Sequence, residues 1–321
     1  MGQPKTILKI VLPLLLGVGL VWYSLSKISV PILVQYFKDA DYSWIILGAI
    51  LGVLSHLSRA YRWLYMAEPL GFKPKFANSI MAVYSAYLIN FTIPRAGEVA
   101  RATILTNYEG IPFDKGFGTV VAERIADTIM LLSIVGIAFF LEFEFIYSFF
   151  VEKFNPSGLS LILVGISSVI AVLLIFLFIK KSHSKLAVKV KSFIIGLLEG
   201  ALSIFKMKNK WAFIGHTLFI WSMYVLMFYI TTNALPELEH ITLTPVLIGF
   251  ILASFSIAAT NGGIGSFPEA VVIAFSLFGI AEDPSRAFGW IMWSTQTLVI
   301  IVLGGVSLLY LPIYNRKNRT L

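Results

Sequence analysis

The chain has 321 residues, 58% of them hydrophobic and 13% charged, where a soluble domain carries about a quarter charged residues. A formal net charge of +8 in so apolar a chain points to cytoplasmic Lys and Arg facing anionic lipid, and nucleic acid is not an expected partner. With no cysteine and only four scattered histidines, disulfides, thiolate metal sites and cysteine nucleophiles are excluded, and no metal or cofactor is expected.

Apolar runs near 20 residues recur along the chain with short polar gaps between them, the mark of a polytopic membrane protein. The first, 7–25, follows Lys5 and Lys9 and closes on Trp22 and Tyr23 with no small-residue cleavage site, so it reads as an uncleaved span. The second, 43–66, carries His56, Arg59 and Arg62 on one face near its inner end. Arg62 reads there as a snorkelling anchor, and Arg59 is placed to face the interior.

Residues 78–93 and 98–106 form a longer apolar segment, interrupted by Pro94-Arg95-Ala96-Gly97-Glu98. A plain span, 117–141, follows, and then another, 159–179. Between His183 and Lys210 apolar residues keep helical spacing with lysines on both sides, which fits a cytoplasmic interfacial helix over 184–206 and equally a connector packed on the bundle. Residues 211–231 form the next span. Residues 243–260 and 265–279 form a second broken segment, interrupted at Asn261-Gly262-Gly263-Ile264-Gly265-Ser266, and 286–312 closes the series.

Helix breakers between two short apolar arms predict re-entrant or discontinuous helices. If both broken segments return to the side they entered, the fold is all-α, with six full spans, two re-entrant hairpins and both termini cytoplasmic. Basic residues then gather inside, at Lys5, Lys9, Arg62, Lys73, Lys75, Lys115, the cluster from 180 to 210, and Arg316, Lys317 and Arg319. Acidic residues gather outside, at Asp39, Asp41, Glu142, Glu144, Glu152, Glu237, Glu239, Glu282 and Asp283. The same elements repeat in opposite orientation, so 1–321 reads as one transmembrane domain with inverted halves 1–142 and 159–315.

Charges at membrane depth are the candidates for function, since each costs about 2.5–3.5 kcal/mol at mid-bilayer. In the first break, Gly97 opens a short helix whose free N–H groups favour an anion, and Arg95 beside it supplies a two-donor fork for a phosphate. Glu98 and Arg101, three residues apart, are spaced to pair with each other. Glu123 and Asp127 share a face of the next helix near mid-membrane, where two carboxylates repel unless a cation or a proton sits between them; Arg124 or Arg95 is the expected partner, in a structural ion pair or in a transport or proton-coupling role. Around Asn261, the glycines Gly262, Gly263 and Gly265 permit backbone shapes that let a ligand or a helix approach. Ser266 and Glu269 have capping-box spacing, which predicts Glu269 as a helix cap. No catalytic triad, metal-ligand pair, P-loop or dinucleotide fingerprint is present, so the chain does not read as an enzyme.

At these residues the chain resembles the lysylphosphatidylglycerol synthase transmembrane, or flippase-like, family of prokaryotic membrane proteins. The stretches that carry it are PRAGEVARATILTNYEGIPFDKGFGTVVAERIAD and ATNGGIGSFPEAVVIAFSLFGI, and the similarity of layout covers nearly the whole chain. The resemblance implies a lipid-translocating module in the cell membrane, without the soluble synthase domain and hence without aminoacyl transfer. Matching positions are Arg95, Gly97, Glu98, Arg101, Glu123, Arg124, Asp127, Gly262, Gly263 and Gly265. The leading expectation is a carrier for an anionic lipid or a polyprenyl-phosphate intermediate. The alternatives are a membrane glycosyltransferase or an accessory to one, and a non-catalytic scaffold.

Overall fold

The structure is a computed structural model that describes residues 4–93, 95–144, 147–148, 188, 207–260 and 262–316, with side chains from residue 15 onward. The expected span 159–179 and the interfacial helix 184–206 lie outside the described residues, apart from Val188. Ten α-helices are described: α1 Pro4–Lys27, α2 Val30–Asp39, α3 Tyr42–Ala67, α4 Phe76–Thr92, α5 Ala96–Glu109, α6 Phe113–Leu141, α7 Lys210–Thr232, α8 Leu243–Ala259, α9 Ser266–Ser276 and α10 Glu282–Tyr314. No strand occurs among the described residues.

Among the described residues, four helices are long and apolar enough to cross a membrane, ending at Leu70 (α3 with its terminal turn), Leu141, Thr232 and Tyr314. The first apolar run, 7–25, lies within the continuous helix α1, and the chain turns only beyond it. It bends by 84° after Lys27, and α2 continues as a separate helix with Pro31 in its first turn; the bent pair counts as a fifth span only if taken together. Pro at that position fits, because its missing N–H is one that a helix start leaves unbonded anyway. The next helix, α3, begins where the Asp41 carboxylate accepts from the Ser43 N–H at 2.8 Å.

Both broken segments fold back on themselves. Ile93, which precedes a proline, is extended at φ −130° and ψ 111°, as the steric clash with a following proline ring demands. Arg95 then sits at φ 64°, and α5 starts at Ala96. The two arms pack backbone to backbone at Gly97, where an added Cβ would strike the Ala86 carbonyl of α4. In the second segment Gly262, Gly263 and Gly265 all have positive φ, and α9 returns along α8 so that a Cβ at Gly249 would lie 2.8 Å from the Phe275 ring. The tips of the two segments are neighbours: a Cβ at Gly262 would lie 2.8 Å from Phe91 Cε1. Helix α10 backs both segments, approaching α9 at Gly289 and α4 at Gly304.

The chain forms two compact units, Met1–Glu123 with Lys208–Leu321, and Arg124–Met207. The boundary falls inside α6, directly after Glu123.

Candidate functional site

The first unit buries an ionic cluster between α3, α5 and α6. Glu123 is its only carboxylate among the described contacts, with a side chain 1% exposed. Its Oε1 receives Arg59 at 2.5 Å and Arg62 at 3.3 Å, and its Oε2 meets Arg101 at 2.9 Å. The Arg101 contact is an ion pair bent too far for an aligned hydrogen bond. Each guanidinium has a second support. Arg62 donates to Thr217 at 2.9 Å and lies 5.2 Å from the Phe213 ring. Arg59 reaches the Tyr224 hydroxyl at 3.3 Å, and Arg101 stacks 3.7 Å from the Trp63 ring centroid. Trp63 is itself fixed by its indole N–H donating to Thr119 at 2.8 Å. Such planar, multiply held guanidiniums are what make arginine suited to buried pairing.

These contacts correct two sequence expectations. Arg62 does not snorkel: it is fully buried, because Thr217, Phe213 and Glu123 give its charge partners inside the protein. Arg101 reaches Glu123 of α6, with Trp63 holding its guanidinium plane. The cations on Glu123 come from α3 and α5, not from Arg124 or Arg95. Arg59 is interior, as expected. Arg124 and Asp127 fall in the second unit, Arg124 exposed and Asp127 buried.

At the tip of the first break the Gly97 N–H donates to the Asn90 carboxamide at 2.8 Å, and the Ala96 N–H bonds Ile93 at 3.1 Å. The start of α5 is thus largely capped from within, with Glu98 in its first turn. What the tip presents is Arg95, an exposed arginine in left-handed backbone with no hydrogen-bond or ion-pair partner among the described residues. The second tip, next to Phe91 at Gly262, is held by Trp293, whose indole N–H donates to the Gly262 carbonyl at 2.8 Å, and by Thr260, which accepts from the Gly263 N–H at 3.1 Å. Asn261 lies outside the described residues.

Glu269 overturns its expected role as a helix cap. Helix α9 is preceded by Gly265 and has no side-chain cap. The Glu269 carboxylate instead takes Arg286 of α10 through both oxygens, at 2.8 and 3.2 Å, and accepts from Ser24 of α1 at 2.6 Å. Trp290 completes the group by donating to Ser24 at 3.1 Å. A fully buried arginine one helix away outcompetes a local cap for that carboxylate. The two broken segments are therefore fastened to the helix that follows each of them by ion pairs of opposite sense: Arg101 to Glu123 in the first, Glu269 to Arg286 in the second.

Residues 10–305 match the family described as the lysylphosphatidylglycerol synthase TM region. The chain belongs to that family. A UPF0104 membrane protein of Methanocaldococcus jannaschii is 23% identical over 336 residues, covering 95% of this chain and 94% of the relative. The glycosyltransferase AglD of Haloferax volcanii is 29% identical over 106 residues, which are 33% of this chain and 16% of that protein. No solved structure matches. Within the family match, the sequence missed Arg59 and Arg62 as partners of Glu123. Their spacing with His56 in an otherwise apolar helix was the available signal.

Proposed function

We propose that this protein is a flippase-like lipid carrier of the cell membrane, which binds the phosphate of an anionic lipid or polyprenyl-phosphate intermediate and passes it between leaflets. The observation that carries the reading is Arg95. A non-glycine residue in left-handed backbone costs about 1–2 kcal/mol, and such strain persists where its surroundings over-determine it, typically at working sites. Its guanidinium is exposed at a helix break and pairs with no described carboxylate, which suits a phosphate arriving from outside the protein. The contact of Phe91 with Gly262 supports two re-entrant hairpins entering from opposite sides and meeting inside the bilayer. In this arrangement both termini are cytoplasmic, and halves 1–142 and 159–315 are inverted repeats within one transmembrane domain. The Arg59–Arg62–Arg101–Glu123 cluster is the anchor that holds α5 against α3 and α6, so that Arg95 is presented from a rigid support.

A second reading, an accessory to membrane glycosyl transfer, is supported by the 106-residue likeness to AglD. In that case the chain would present lipid-linked substrate to a partner enzyme. Glu123, the best-placed buried acid, is already surrounded by three guanidiniums and is a poor general base.

The test is lipid translocation in reconstituted vesicles, measured beside thermal stability for Arg95→Lys and Arg95→Ala. Both variants should keep wild-type stability and lose most translocation, because a lysine point charge does not reproduce the planar fork. Normal translocation by a stable Arg95→Ala variant would end the head-group reading.

A further inference from the structure

The short helix α2, between α1 and α3, has no part in the Arg95 site, and its neighbours fix its level in the bundle. It joins α1 at an 84° bend, so it runs across the direction in which α1 crosses the membrane. At about 1.5 Å per residue the 24 residues of α1 reach about 36 Å, enough to cross a core of about 30 Å without α2. What surrounds α2 is the ends of other spans. The Asp41 N–H, two residues past α2, donates at 2.9 Å to the Ala234 carbonyl just after α7. The Tyr42 hydroxyl at the start of α3 donates at 2.8 Å to the Phe37 carbonyl of α2. Tyr36 lies within electrostatic reach of Glu237, in the loop after α7, and of Asp283, in the first turn of α10. Three spans, α3, α7 and α10, therefore begin or end at the level of α2. Aromatic side chains mark the same level: Trp22 and Tyr23 near the end of α1 are 73% and 46% exposed, and Tyr42 is 53% exposed. Trp and Tyr at helix ends favour the boundary between head groups and acyl chains.

Helical spacing divides α2 into three faces. Leu33, Tyr36 and Phe37 are half-buried against the protein. Gln35, Lys38 and Asp39 are exposed together on a polar face, where the Gln35 carboxamide donates to the Asp39 carboxylate at 2.8 Å. Between these faces Val30 and Val34, one turn apart, are 56% and 44% exposed, and nothing among the described residues covers them. Ile32, on the far side beside Asp39, is also exposed, as single scattered aliphatics on a surface are. A helix sunk in the core would have to desolvate Lys38 and Asp39, and one standing in water would leave the valine strip wet.

We infer that α2 is an in-plane anchor whose partner is the bilayer surface itself. Val30 and Val34 sit at the boundary of head groups and acyl chains, with Gln35, Lys38 and Asp39 in the aqueous head-group layer. Helices of this kind bury their apolar face about 5–10 Å into that boundary. In the orientation proposed above this is the outer leaflet. There α2 sets the depth at which α1 and α3, the helices it joins, stand in the membrane, whatever lipid the protein carries.

The test uses the full, cysteine-free chain in vesicles of phosphatidylcholine and phosphatidylglycerol. Val30→Cys, Val34→Cys, Gln35→Cys and Lys38→Cys each carry a nitroxide label. Power saturation then compares collisions with oxygen, which concentrates in lipid, against collisions with a water-soluble nickel chelate. Val302→Cys in α10, 51% exposed, is the reference for a lipid-facing span. The ratio of oxygen to nickel collisions should be several-fold higher at Val30 and Val34 than at Gln35 and Lys38, yet below that at Val302, as befits a shallow position. Equal or reversed ratios on the two faces would overturn the in-plane anchor. Uniform nickel access places α2 in water, and uniform oxygen access at the level of Val302 makes it part of a broken span. Shielding from both reagents means that protein covers it, a second copy or another segment of this chain. Two positions on each face keep the comparison intact if one labelled variant proves unstable.

Discussion

Replacing Glu123 by glutamine tests the anchor directly. The substitution keeps the shape and removes the charge on which three guanidiniums converge, at 2.5, 2.9 and 3.3 Å. Arg62 and Arg101 stay in place through Thr217, Phe213 and Trp63, so neither charge can swing out to water without breaking those contacts. Removing one partner of a buried pair costs about 3–5 kcal/mol, because the charge left behind is neither solvated nor neutralised. Here all three cations lose their shared carboxylate, which puts Glu123→Gln at the upper end of that range. At a few degrees per kcal/mol for a chain of this size, the melting temperature should fall by on the order of 10 °C. The assay is thermal unfolding of the purified protein in detergent, with Glu123→Gln/Arg62→Met as the second-site test. Removing one of the excess cations should recover part of the loss. An unchanged melting temperature in Glu123→Gln would refute the view that these charges depend on one another inside the protein.

Gly97→Ala should destabilise the protein strongly, because its Cβ would collide with the Ala86 carbonyl, while Gly118→Ala, with open space around it, should be neutral or slightly stabilising in the same melt. Arg286→Met should cost about 2–4 kcal/mol by leaving Glu269 with only Ser24 inside the protein, and Glu269→Gln in the same chain should return part of it; simple additivity of the two changes would disprove the pairing. Since the chain has no cysteine, single cysteines report topology cleanly. Glu237→Cys should react with an impermeant thiol reagent from outside and Lys73→Cys should not; external labelling of Lys115→Cys would sink the first re-entrant hairpin, and cytoplasmic labelling of Glu282→Cys the second.

Much of the fold was legible before any coordinates, and for local reasons. Apolar run length marks helices such as α3, α6, α7 and α10, since backbone groups in lipid must be bonded within their own segment. The two breaks were equally visible: a proline dictates an extended Ile93, and three glycines within four residues permit the positive φ values of the second tip. These properties belong to a residue and its near neighbours, so sequence by itself determined them. Partner choice is different in kind. Ser266 lay within one turn of Glu269, yet that local cap gave way to Arg286 on another helix, and Arg101 found Glu123 on the helix that follows its own. The bend after Lys27, the burial of Arg62 and the meeting of Phe91 with Gly262 were decided in the same way. A buried charge takes whichever opposite charge the packed helices bring within 3 Å and seal from solvent, and residues 64 positions apart, like Arg59 and Glu123, come together only when the tertiary structure closes around them.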